Sequence, residues 1–402
     1  MYTRVLNYSL ILVLAIFGLS CSNDSNFISV TGIELSETSL VLIVDSTANI
    51  TAEAKPLDAS NKDFVWKSDD ETIAKVDQNG ELLGISPGTT SITVTDKESN
   101  TSVQCEVNVV KWTAFEKYKG LVENQINHMA IDSEDALWFC GKHLSKFNGS
   151  IATMYLKDVN PNTIAVTKNN DVWLGTSGNG AYRYDGREWK EYDMSNSGLT
   201  DDEIVSIYSN SNQEIWFSHS SRETFMGTGI SKFDGMNWEN YNSNDGLIYN
   251  NVLSIAKDSE GANWFVTSKG ISSLKDDKWI SYTSGNTNND LVDFAYLVSV
   301  DKNGTKWFGT NLGLLKFDGV NWVSYTSSNS GIIEGEISSI AFDKNNNIWV
   351  GTVAGVSCFD GTNWINLRYD NHPVVGVNAL VVDSENKKWI GTSKGLLLLE
   401  GL

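Results

Sequence analysis

A tryptophan recurs seven times along most of this chain, at Trp138, Trp173, Trp216, Trp264, Trp307, Trp349 and Trp389, and its surroundings recur with it. The separations run from 35 to 48 residues, which suits one supersecondary unit and is too short for an independent domain. The stretch 301–325, DKNGTKWFGTNLGLLKFDGVNWVSY, shows the unit most fully. Six positions before the tryptophan stands aspartate in five units (Asp132, Asp258, Asp301, Asp343, Asp383), with Thr167 and Asn210 in the other two. An aspartate there can accept the amides of the next turn, and Gly261 or Gly304 can supply its positive φ. The D-x-N-G spacing lacks the alternating oxygen ligands and distal glutamate of a calcium loop, so turn formation is the expected role. After each tryptophan come a run ending in Gly-Thr or a variant, a loop, a third run ending in Phe-Asp-Gly or similar, and a fourth with a second tryptophan and a tyrosine. Four short strands joined by tight turns predict one propeller blade per unit.

Blade number and closure rest on the second tryptophans, Trp189, Trp238, Trp279, Trp322 and Trp364, with Ala152 in that place in the first unit. The last unit stops at Leu402, where its fourth strand should begin, and a strand of matching character, Lys111–Phe115, precedes the first unit. Seven blades are expected across 111–402, closed by that N-terminal strand, an arrangement that leaves no open end to the array. The tryptophans are then inter-blade packing and not a row for stacking sugars.

Residues 28–110 alternate apolar and polar positions in seven or eight short runs (SLVLIV, FVWKS, ELLGI, TSITVT, VQCEVNV among them), the pattern of half-buried strands in a β-sandwich. Ahead of them, residues 1–20 hold Arg4 and an apolar run from Leu10 to Leu19 that is short for a membrane span and suits a signal peptide.

Three resemblances attach to these readings. VTGIELS, Pro56 after TAEA, and the order W-x-S-x-D…A-x-V…G…G-x-x-x-I-T-V around Trp66 resemble a bacterial Ig-like domain of group 2, which implies a spacer or adhesive module with Trp66 on an aliphatic core. Gly18-Leu19-Ser20-Cys21 resembles a lipoprotein cleavage site, with Leu19 one place nearer the cysteine than usual. That implies lipidation at Cys21, a linker at 21–27, and a chain held outside the cytoplasm, at the outer membrane or cell surface, without a spanning helix. The pattern I-x-x-D-x-x-G-x-x-W-x-G-T-x-x-G-L-x-x-F-D-G-x-x-W-x-x-Y resembles the two-component regulator propeller repeat, whose blades commonly form the extracytoplasmic sensing part of hybrid histidine kinases, often for glycans. The expected fold is all-β: an Ig-like β-sandwich followed by a seven-bladed β-propeller. Since no membrane span or kinase segment comes after the propeller here, a sensing role would need a partner.

A formal net charge of −20 without clustered Lys or Arg excludes a phosphate-tracking nucleic-acid surface. Cys105, Cys140 and Cys358 lie in apolar runs far apart, without metal-ligand spacing, and read as buried thiols. Propeller ligands usually meet the face where fourth strands lead into the next innermost strand. Those entries contain Gln125, Asn127, His128, Asn160, Asn162, Glu203, Asn251, Phe294, Tyr296, Glu336, His372 and Asn378, a set of amides, carboxylates and rings suited to a polyhydroxylated ligand. The alternative at each position is satisfaction of strand-entry backbone groups. The third unit has an enlarged loop, 219–227, on the same face, so Arg222 and Phe225 are the leading single candidates.

Enzyme readings have less to stand on. Four histidines occur, His128, His143, His219 and His372, none in H-x-x-x-H or E-x-H spacing. His128 and His372, in the first and seventh units, are the weighed metal pair, and no metal or cofactor is expected. The enzyme alternative is a propeller lyase or hydrolase resembling streptogramin lyases, which are also seven-bladed, although their catalytic Glu-x-His pair has no counterpart here. The expected molecule is a non-catalytic monomer that binds a glycan or an envelope protein, touching the membrane only through its lipid.

Overall fold

The computed structural model describes residues 27–402 apart from 61, 118–119, 210–213, 220–225 and 368–375. It comprises two compact units, one ending at Thr113 and including Leu398–Leu402, the other Ala114–Leu397. The expected boundary at 110/111 falls inside one continuous strand, Ser102–Phe115.

In the first unit, Phe64–Ser68, Gly88–Asp96 and Ser102–Phe115 pair antiparallel, and Ser39–Ile43 adds to the last of them in parallel. Thr47–Asn49, Glu81–Gly84 and Ala74–Val76 make a second sheet. Alternate residues of Gly88–Asp96 turn inward, as a strand with one buried face requires. Leu42, Ile50, Leu82, Ile92, Val94, Cys105 and Val107 close around Trp66. Gly80 has φ 82°, and a Cβ there would lie 2.1 Å from the Ile50 carbonyl oxygen and 3.1 Å from the Trp66 ring. The turn beside the tryptophan therefore takes no side chain.

In the second unit six four-stranded antiparallel sheets succeed one another in chain order, and the seventh places the end of Ser102–Phe115 beside Gly395–Glu400. Gly313 and Gly395 locate that added strand independently. A Cβ on Gly313 would come 2.3 Å from the carbonyl oxygen of Tyr325, in its own fourth strand, and one on Gly395 would come 2.4 Å from that of Phe115. Phe115 thus stands where a fourth-strand tyrosine stands elsewhere, with its ring 5.7 Å from Trp389 and 5.2 Å from Phe147 of the first blade. The ring is closed between seventh and first blades by Ile126 N donating to Thr392 O (3.0 Å) and Ser384 N donating to Asp135 Oδ1 (2.9 Å).

The five repeat aspartates accept the amides two and four residues on, as the turn reading required. Their second oxygen accepts the indole N–H of the marker tryptophan at 2.9–3.2 Å, which local reading did not foresee. Each of six indole rings also carries a cation. Lys146, Arg183, Lys232 and Lys316 come from the blade's own third strand. Where that strand has Ser273 or Cys358 instead, Lys306 or Lys388 of the next blade takes over, at 5.0 and 4.6 Å from the ring centroids. One electrostatic need, a cation against the ring's negative face, is met by two routes. Cys105, Cys140 and Cys358 are all buried free thiols.

Candidate functional site

The innermost strands, His128–Ile131, Pro161–Val166, Ile204–Ser209, Val252–Lys257, Ala295–Val300, Ile337–Phe342 and Val377–Val382, wall a central channel of about 910 Å3. An innermost strand has no further neighbour on its channel side, so its free amides and carbonyls need other partners. Six of the seven carry an irregular register at the second position, at Asn162, Val205, Leu253, Tyr296, Ser338 and Asn378. Each of these stands eleven residues before its marker tryptophan, as Asn127 does in the first blade. Such an extra residue is left out of the ladder and re-aimed.

What those side chains meet decides how the site reads. Asn162 Nδ2 donates to Ile204 O at 2.8 Å, the Tyr296 hydroxyl to Ile337 O at 2.9 Å and to Thr310 O at 3.3 Å, and Asn378 Nδ2 to Ile126 O at 2.8 Å. Ser338 Oγ donates likewise to Val377 O. Val205 and Leu253 have no side-chain donor to offer, and each of the other four reaches the carbonyl at the entry of the next innermost strand. One residue further in, a second belt runs the other way: Ser254 Oγ accepts Val298 N at 3.1 Å, Ser339 Oγ accepts Leu380 N at 2.9 Å, and His128 Nδ1 accepts Ile164 N at 3.4 Å. Three of the expected ligand groups, Asn162, Tyr296 and Asn378, therefore each give a donor to joining blades while still lining the channel, and His128 does the work of a serine. The sequence signal for this existed, in the constant offset from the tryptophan.

The remaining candidates divide. Asn127, exposed at the mouth, accepts from Gln125 Nε2 at 3.2 Å. Glu336 is exposed and lines the channel beside Tyr296, whose phenol is pushed far up by burial and by the Glu336 charge. Glu203 is half-buried and bridges to Ser177 through its backbone. Asn251 is only 1% exposed and its carbonyl accepts Ser268 N, which takes it off the accessible rim. Phe294 is 48% exposed, at the end of a 3-10 turn, Asp290–Phe294. The Asn160 carbonyl accepts Ser177 N. Arg222, Phe225, His372 and Cys21 lie outside the described residues.

Enclosure by the blades lowers the His128 pKa, while its ring stays open to channel water, which limits that shift. Strand register sets Cys140 opposite His128, but the thiol is fully buried and burial pushes its pKa up, so the pair is no activated nucleophile. Among the described residues no three His, Cys, Asp or Glu side chains are grouped to hold a metal, and no helix is long and apolar enough to cross a membrane.

Comparison with known proteins matches residues 29–107 to the bacterial Ig-like domain (group 2) and residues 331–354 to the two component regulator propeller. The chain carries both modules. An uncharacterized protein of Clostridium acetobutylicum is 38% identical over 88 residues, 22% of each chain. Among solved structures, the extracellular domain described for a hybrid two component system of B. thetaiotaomicron aligns with TM-score 0.60 at 20% identity, over 72% of this chain and 42% of that one. A streptogramin B lyase aligns with TM-score 0.58 at 15% identity, over 72% of this chain and 97% of the lyase. These likenesses establish the propeller fold, and the chain spans less than half the length of the sensor domain it resembles.

Proposed function

We propose that this chain is an extracytoplasmic, lipid-anchored recognition protein that takes a glycan or a segment of an envelope protein at the channel mouth, without catalysis. The observation that carries this reading is the division of labour in the repeats. Their recurring polar residues serve turns and blade joints, while Asn127 and Glu336 remain exposed at the mouth of the channel. Propellers with variable loops on a rigid frame are suited to binding. The likeness to sensor domains supports the same class.

The test is direct. The chain beginning at Cys21 would be screened on a glycan array and by crosslinking in envelope extracts, alongside Asn127→Ala and Glu336→Ala. Loss of capture in these variants at unchanged thermal stability supports the reading; capture that ignores both variants sinks it. For the anchor, radiolabelled palmitate should enter the wild-type chain and not Cys21→Ala.

A lyase is the second reading, favoured by the alignment over nearly all of a streptogramin B lyase and by His128 facing the channel. It predicts ring opening of a streptogramin B that is lost in His128→Ala.

A further inference from the structure

Among the described residues, exposed apolar side chains stand at the entry end of the fifth and sixth blades, as Met226 (72% exposed) does on the third. Phe294 is 48% exposed, Leu312 57% and Val353 61%. Strand register sets them at the same end of neighbouring blades. Ala295 pairs with Thr310, so Phe294 and Leu312 flank one hairpin end, and Ile337 pairs with Thr352, so Glu336 and Val353 flank the next. A Cβ on Gly335 would lie 3.2 Å from Val353 Cγ2, which puts the linker holding Glu334 and Glu336 against that valine. Glu334, Glu336 and Asp290 are exposed. The segments forming this sector, 288–297, 309–314, 331–338 and 351–356, contain no Lys or Arg.

Exposed aliphatic and aromatic side chains beside carboxylates, on segments that hold no Lys or Arg of their own, define the chemistry of a complement: apolar side chains with cations beside them. A neutral glycan would leave the carboxylates without counter-charge. We propose that this sector docks a basic, apolar segment of a partner protein, with Lys or Arg side chains meeting Glu334 and Glu336 while its apolar side chains cover Phe294, Leu312 and Val353. This deepens the recognition reading above and rests on it.

The experiment uses the full chain from Cys21 and a synthetic peptide of alternating lysine and leucine, with a lysine–serine peptide of equal charge as comparison, by calorimetry at low and high salt. The lysine–leucine peptide should bind, and Glu334→Gln/Glu336→Gln should weaken it by about fivefold, the effect of rim charges. Phe294→Ser/Val353→Ser should weaken it further. The double variant Glu134→Gln/Glu260→Gln, equal in net charge and placed in turns outside these segments, should bind as wild type does. Equal weakening by both charge pairs, or equal binding of the lysine–serine peptide, overturns the proposal in favour of unspecific attraction to an acidic protein. Failure of the peptide together with a positive glycan array overturns the peptide and leaves recognition standing. Failure of both removes the two together.

Discussion

His219 departs from the repeat at a single position, and the departure makes the fold sensitive to acid. It ends the second strand of the third blade, where Thr176, Thr267, Thr310, Thr352 and Thr392 stand in others and donate to a glycine carbonyl. The imidazole is fully buried, with Nε2 2.8 Å from Ser231 Oγ, and burial lowers its pKa to about 4 against a smaller upward pull from Asp201. The folded chain therefore refuses a proton that the unfolded chain accepts near pH 6.5. Its contribution is intact above that pH and is lost as the pH falls toward 4, by about 2 kcal/mol between pH 7 and 5. Denaturant titrations at the two pH values should show this loss in the wild type and a flatter response in His219→Thr. An equal response would place the acid sensitivity elsewhere. At Asp301 a different residue-level effect is expected, because Asp301→Ala strands the Trp307 indole N–H and two turn amides at once. Urea unfolding should report a loss of about 2–4 kcal/mol.

At the scale of the element, the blade is largely legible from short range. The Asp-to-Trp offset, the Gly-Thr step and the Phe-Asp-Gly turn are contacts within one hairpin, so their residue types recur in step. Asp318 illustrates this: its carboxylate accepts Val320 N and Asn321 N, and those bonds hold its pKa near 2. Bonds between blades are less legible. The acceptors of Asn162, Tyr296 and Ser338 lie 39 to 42 residues away, and a side chain that varies among Asn, Tyr and Ser does not announce a shared purpose. Two readings were open at these positions, and the hydrogen bonds of Asn162, Tyr296 and Asn378 fit the second, satisfaction of strand-entry backbone groups. Replacing Asn378 with Leu should therefore lower stability by about 1 kcal/mol, as expected for one hydrogen bond. A thermal melt unchanged by this substitution would count against the belt.

For the whole molecule, closure is the decisive event, since the strand that completes the seventh blade comes from before the first. A chain starting at Val110 keeps that strand and one starting at Leu121 lacks it. The first should unfold in a single cooperative calorimetric transition, and the second should melt broadly or remain aggregated. By itself the sequence determined the two modules, the number of blades, the turn chemistry that repeats around each tryptophan, and the origin of the closing strand. All of these rest on local turn chemistry and on repetition, which a linear text preserves. Only the tertiary structure decided which polar groups at the channel are spent on neighbouring blades and which still face solvent, leaving an acidic, apolar sector on blades five and six. The physical reason is that a side chain's freedom depends on whether a carbonyl from the next blade arrives within hydrogen-bonding reach, and that arrival is set by the packing of the ring.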